Sequence, residues 1–271
     1  MGTTHADDTT IGGLAVPVDR MPGHWVLARL GKRVLRPGGR ELTDRLLAGL
    51  AIGPGDDVVE LAPGLGSTTK LVLAADPRSY TGVDRDPAAA RRVADAIAGP
   101  GRRVVEASAT DTGLDDDSAD VAFGEAYLTM QPDRQKREVA AELARIVRPG
   151  GRIALHEVAF AGALDPEAVE AIRHDMSGSI KVNVSPLTED GWAELVEAAG
   201  FRVVDRWSRP LRLLEPKRLL ADEGVVGFAR FALNVARRPD ARRRVRAMRA
   251  TMRRHAEHLR GFGLVAERLP G

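Results

Sequence analysis

A chain of 271 residues, 44% of them hydrophobic, is long enough to bury a substantial core, as one elaborated domain or two small ones. It contains no cysteine, which excludes disulfides, thiolate nucleophiles and cysteine metal sites. The net charge is only +2, yet ten arginines stand against Asp240 and Glu257 between Arg237 and Arg260, so that stretch has a net charge of +8 and the rest of the chain carries −6.

In chain order, residues 1 to 20 show no sustained periodicity. Val26, Leu27, Leu30 and Val34 predict a short helix from His24 to Leu35, stopped by Pro37, Gly38 and Gly39. Leu42, Leu46, Leu47 and Leu50 mark a second helix. Strand and helix then alternate: strands near 57–62, 79–83, 103–107, 120–124, 152–158 and 201–207, helices near 67–75, 87–98, 134–147 and 188–199. This pattern predicts an α/β fold with a parallel sheet covered on both faces, whose ligands bind at the carboxyl ends of the strands. Two stretches exceed ordinary connections, 159–186 and 209–261, and both read as lids. Ala241, Val245, Met248, Met252, His255 and Leu259 recur at helical spacing through the arginine block, which predicts an amphipathic helix with its arginines in water. The domain organisation is a 1–50 N-terminal segment with lid helices, a 51–208 core with the insertion at 159–186, a 209–261 helical lid, and a final antiparallel core strand at 262–271.

The most informative stretch runs from Val58 to Thr69, where an apolar strand stops at Ala62, Pro63, Gly64, Leu65 and Gly66 and a helix follows. Gly64 and Gly66 let the backbone approach a ligand that a Cβ would hold away, and Asp84, at the end of the next strand, can accept from ribose hydroxyls. Thr69 stands where a dinucleotide fingerprint wants a third small residue, which disfavours a pyrophosphate.

Glu60, Ala62, Gly64 and Gly66 resemble motif I of the class I methyltransferases that use S-adenosylmethionine (SAM), with Ala62 in place of the usual first glycine. The resemblance, of methyltransferase type 11 character, continues through Ala107 to Asp111, Ser118 to Phe123, Arg148 to Leu155 and Trp192 to Phe201, and covers about residues 40 to 207 and the last ten. It implies a Rossmann-like, doubly wound, seven-stranded and mostly parallel sheet with helices on both faces and an added helical lid. It also implies SAM as cofactor, S-adenosylhomocysteine as product, and a cofactor site built from Glu60, Ala62, Pro63, Gly64, Gly66, Asp84, Arg85, Ala109, Thr110, Gly124 and Glu125. With Ser108 where relatives often have an aspartate, the adenine is expected to rest on backbone groups near Ala109.

Methyl transfer from a sulfonium is an in-line displacement that depends on alignment and exclusion of water, so a base is needed only for an acceptor that loses a proton. Candidates for that base are His156, Glu157 and Tyr127, with His24 and His174 on the presumed lids. Asp111, Asp115, Asp116, Asp117 and Asp120 form a dense cluster without metal-ligand spacing, so no metal is expected. The function expected is methyl transfer to an oxygen or nitrogen of a small organic acceptor. Its rivals are an RNA methyltransferase using the arginine-rich helix, and a SAM-binding protein without catalysis. With 4% aromatic residues and no base-flipping motif, nucleic acid is the disfavoured partner. The absence of a long apolar run or a leader predicts a cytoplasmic protein with no membrane span, and a homo-oligomer stays open.

Overall fold

A computed structural model describes residues 10, 11 and 14–270. Most of the segment 1–20 therefore lies at or beyond the edge of the described residues. Within it, β1 (Thr10–Ile11) pairs antiparallel with β2 (Leu14–Ala15).

The first predicted helix is shorter than the apolar spacing suggested: α1 spans Gly23–Arg29, and residues 32–35 run on without helix. Leu30 ends it, and the chain then turns at Gly31, where φ is +95°. Next comes α2 (Arg40–Leu50), followed by the alternation the sequence predicts: β3 (Asp57–Leu61), α3 (Thr69–Leu73), β4 (Ser79–Asp84), α4 (Pro87–Ala96), β5 (Arg102–Glu106), β6 (Ala119–Glu125), α5 (Asp133–Ile146) and β7 (Val147–Phe160). The 159–186 stretch carries α6 (Pro166–Ile180), and β8 (Leu187–Thr188), α7 (Glu189–Glu197) and β9 (Phe201–Pro210) follow. The second long stretch folds as α8 (Pro216–Arg237) and α9 (Pro239–Arg254). The last strand, β10 (Leu259–Arg268), starts three residues before the expected 262, because Leu259 already pairs with Phe160.

Local chemistry sets several boundaries. Asp86 accepts from the Ala88 and Ala89 amides ahead of Pro87, Asp165 from Ala168 ahead of Pro166, and Thr188 from Gly191, so three helices start on a capping side chain.

The sheet order is β5-β4-β3-β6-β7-β10-β9, with β8 a two-residue addition to β7. From β5 to β7 the strands are parallel, and β10 is antiparallel to both of its neighbours. Strand order reverses between β3 and β6, and a crevice opens at the carboxyl ends there. One face packs Val59, Leu61, Leu155 and Leu264 against Leu143, Ile146, Trp192 and Val196 of α5 and α7. The other packs Val58, Val121, Phe123 and Val265 against Leu46, Leu50, Val72 and Val93 of α2, α3 and α4. Thus α2, expected in the N-terminal lid, belongs to the sheet's own cover. A third core, separate from the sheet faces, joins α1, α6, α8 and α9 through Leu27, Leu30, Ile172, Met176, Phe231, Met248 and Met252. Removing a large side chain from any of these cores, as in Leu264→Ala, costs about 2–5 kcal/mol. Among the described residues no helix is long and apolar enough to cross a membrane.

Candidate functional site

A cavity of about 880 Å³ opens where the strand order reverses and runs up beneath the third core. Its lower half is made of strand ends. The Ala62 amide donates to the Val83 carbonyl at 2.8 Å and the Gly66 amide to Pro63 at 2.9 Å, which curls the chain after β3. Ala62 takes φ +53°, a left-handed conformation that costs a Cβ-bearing residue about 1–2 kcal/mol, so the alanine occupies a glycine's backbone position. At Gly64, φ +56°, an added Cβ would meet only the Ala62 carbonyl oxygen at 3.8 Å and would otherwise project into open space.

Asp84 closes the other side. Its carboxylate accepts from the Gly64 amide at 3.2 Å and the Asp86 amide at 3.0 Å, and burial raises its pKa against those two bonds. The lining includes Glu60, Ala62, Pro63, Gly64, Asp84, Arg85, Ala109, Thr110 and Glu125, nine of the eleven predicted positions. Gly66 and Gly124 are not on its wall. Gly66 serves the turn, and Gly124 makes room for Tyr127, whose Cε1 would lie 2.3 Å from a Cβ there.

Two buried carboxylates flank this half in opposite states. Glu60 accepts from Thr69 Oγ1 at 2.7 Å and Tyr80 Oη at 2.6 Å, and burial pushes it up to about 7. Burial would raise Glu125 as well, but the Arg36 guanidinium at 2.9 Å leads the groups that hold it down at about 2. His156 Nδ1 at 2.7 Å, Thr43 Oγ1 at 2.6 Å and the Thr68 hydroxyl complete its shell. Neither Arg36 nor Thr43 is singled out by the sequence, and Thr68, within the Val58–Thr69 stretch, has no role assigned there. All three meet Glu125 only through the fold.

The predicted bases separate sharply. His156 is fully buried, with Nδ1 2.7 Å from the Glu125 carboxylate and Nε2 against the Pro37 carbonyl, so both ring nitrogens are engaged by the protein and the ring is not on the cavity wall. Glu157 accepts from the Tyr127, Leu128 and Thr129 amides and from Thr129 Oγ1, which fixes the turn after β6, and it does not reach the cavity. Neither can take a proton from an acceptor in this arrangement. Tyr127 is on the wall, but burial, then the nearby Glu157 charge, raise its phenol well above the usual range. Its buried oxygen has no hydrogen-bond partner among the described residues. His174 is off the wall, whereas His24 is on it. Burial lowers His24 to about 4, opposed by Asp86, so its ring is neutral at pH 7.

The upper half is apolar: Trp25, Leu27, Val158, Met176, Ile180, Val182, Leu211, Leu213, Met248 and Met252 line it, with Gln131, Gln135 and Asn183 as neutral polar groups. Met248 and Met252, on the apolar side of the predicted amphipathic helix, are thus also cavity walls. Among the described residues no cluster of three or more histidines or carboxylates is placed to hold a metal.

On α9, Ala241, Met248 and Met252 face inward, and Arg243, Arg246, Arg253 and Arg254 are exposed, as predicted. Several of its arginines also have protein partners: Arg244 donates to the Met21 carbonyl, Arg249 and Arg253 pair with Glu215, and Arg254 with Asp175.

A family model described as a methyltransferase domain matches residues 59–155, the segment from within β3 to within β7. The chain belongs to the class I SAM-dependent methyltransferase family. This methyltransferase is 35% identical over 216 residues, 78% of its length, to an uncharacterised protein of Haemophilus influenzae, 84% of which is covered. It is 26% identical over 180 residues to Methyltransferase GfsG of Streptomyces halstedii, covering 63% of this chain and 62% of that one. A structure of phosphoethanolamine N-methyltransferase 2 from Haemonchus contortus, in complex with phosphomonomethylethanolamine and S-adenosylhomocysteine, shares the fold at a TM-score of 0.68 and 13% identity, over 93% of this chain and 58% of that one.

Proposed function

We propose that this methyltransferase holds SAM in the lower half of the cavity and transfers its methyl group to an oxygen or nitrogen of a small organic acceptor seated in the upper half. The observation that carries this reading is the continuity of the cavity, one end walled by the Ala62–Gly64 loop and Asp84 and the other by apolar roof residues. Its volume suits a cofactor together with a small acceptor, since ligand cavities run to about 300–1,000 Å³. The residues fit the cofactor: open space at Gly64, a carboxylate at Asp84 for ribose hydroxyls, and Glu60 near the methionine end. When bound, SAM supplies a methyl on a sulfonium, and the displaced sulfur keeps the bonding pair as S-adenosylhomocysteine.

The chain's own part is to orient and to keep water out. Met248, Met252 and Met176 exclude solvent above the acceptor. Where the acceptor is a hydroxyl that loses its proton as the methyl arrives, neutral His24, the one candidate histidine on the cavity wall, is the group that receives it.

Calorimetry with S-adenosylhomocysteine tests the cofactor half. Wild type binds, and Asp84→Ala weakens binding by roughly ten- to a hundredfold through lost charged hydrogen bonds. Binding of NAD in place of the nucleoside, or equal affinity in the two proteins, overturns the assignment. In turnover assays with hydroxyl and amine acceptors, His24→Gln lowers kcat while leaving S-adenosylhomocysteine affinity unchanged. An unchanged kcat removes His24 from the reaction.

A further inference from the structure

Of the six large hydrophobic residues that are most exposed among the described residues, four lie on α8: Val225 at 74%, Val226 at 73%, Leu233 at 48% and Leu220 at 44%. The helix breaks at Gly224, φ +70° and ψ 174°, so the segment from Val225 to Arg237 is a helix with its own direction. At roughly 100° per residue, Val225, Val226, Ala229, Ala232, Leu233 and Ala236 fall on one third of its circumference. All six are exposed, while Phe231 is buried in the roof core and Phe228 and Val235 pack against that core from the opposite side. Exposed Arg230 and Arg237 border the apolar stripe, and exposed Lys217 precedes the break.

Among the described residues no carboxylate pairs with Lys217, Arg230 or Arg237. The two acids of α8 turn inward: Asp222 and Glu223 have 0% and 1% of their side chains exposed and face buried Lys32. From Val225 to Arg237 the helix has no acidic residue. An apolar stripe edged only by cations is the pattern of a helix that lies in a lipid interface, its apolar side among acyl chains and its cations at anionic headgroups. A second copy is the poorer occupant. Isologous pairing would set Lys217, Arg230 and Arg237 of one copy against the same cations of the other, with no acid to offset them.

We infer that the exposed face of α8, from Val225 to Arg237, docks on an anionic lipid surface. The break also links this face to the cavity, because Glu223 accepts from the Arg33 and Val34 amides at 2.9 Å each, and Arg33 and Leu35 line the cavity wall. The inference is independent of the transfer reaction, since it needs neither cofactor nor acceptor.

Co-sedimentation of the full chain with vesicles of phosphatidylcholine, with and without phosphatidylglycerol, tests it. Wild type sediments with the anionic vesicles at low salt and is released at high salt. Val225→Glu with Val226→Glu returns it to the phosphatidylcholine background with an unchanged melting temperature, both sites being three-quarters exposed. Arg230→Gln with Arg237→Gln weakens binding to anionic vesicles roughly twentyfold. Failure of wild type to bind, or undiminished binding by the glutamate variant, overturns the inference. So does a dimer in light scattering that the glutamate variant splits in the absence of any vesicle binding, which would assign the face to a second copy.

Discussion

The two halves of the cavity are built by different means. Below, backbone curvature and carboxylates at strand ends do the work, and the parts are fixed by short hydrogen bonds such as Ala62 to Val83 at 2.8 Å. Above, the wall is the underside of a separate apolar core, in which α1, α6, α8 and α9 hold one another by packing. The lower half specifies positions of atoms, the upper half a shape. Under the proposed function, the lower half keeps its geometry for the cofactor while the roof can change with the acceptor.

The largest expected effects break each half at its centre. Glu125→Ala leaves Arg36 and His156 buried without their shared anion and should cost about 3–5 kcal/mol in denaturant unfolding. An effect under 1 kcal/mol would show that the cluster relaxes into water. Met248→Asp sets a charge among Met21, Leu27 and Met176, with a loss expected to be comparable. If the halves are independent, this variant retains S-adenosylhomocysteine affinity in calorimetry under conditions where it stays folded. Loss of that affinity would mean that the roof organises the loop.

A smaller effect separates the two buried carboxylates by pH. Glu60 is raised to about 7 from 4.5, so the folded state binds its proton more tightly than the unfolded state does. Its contribution is fully present below pH 4.5 and is lost as pH rises through 7, on the order of 3 kcal/mol. Glu125, held near 2, has the opposite sign: its contribution is present above pH 4.5 and is lost as pH falls through 2. Urea midpoints from pH 4 to 8 should lose their alkaline decline in Glu60→Gln. An unaltered decline would assign it elsewhere.

The smallest effects test the surface and the loop. Arg243→Gln with Arg246→Gln, on the exposed side of α9, should change stability by less than about 0.5 kcal/mol, as exposed charges do. If this face met nucleic acid, wild type would show salt-steep binding to mixed oligonucleotides that the double variant loses. Ala62→Gly should stabilise by about 0.5–1 kcal/mol, because glycine takes the positive φ without strain. A loss in thermal unfolding would mean that the alanine methyl packs usefully against its neighbours.

What could be read from sequence followed the range of the interactions. Gly64, Asp84 and the strand-helix rhythm are local signals, and each lies where its spacing placed it. His156 and Glu157 were sound candidates by position, at the carboxyl end of a strand, but position does not tell which partners a side chain meets. Pro37, Glu125 and the amides after Tyr127 had already claimed them. Arg36 and Thr43 carried no signal, because their role exists only once α2 lies across the sheet. The roof was legible as helices with apolar faces, such as Ala241, Met248 and Met252. Its arginine pairs with Glu215 and Asp175 were not, since charge counts along a chain do not show which carboxylates fold back to meet them.

The Glu125 cluster also bears on the order in which the molecule assembles. Its hydrogen bonds to His156, Thr68 and Thr43 close loops of 31, 57 and 82 residues, and the bond from His156 to Pro37 closes one of 119. Such loops close late, after shorter-range contacts have reduced the entropy to be lost. A nascent chain that has not yet reached β7 can form the glycine loop but lacks the histidine that joins it to the segment before α2. The strand-end half of the cavity is thus completed only when more than half of the chain has been made.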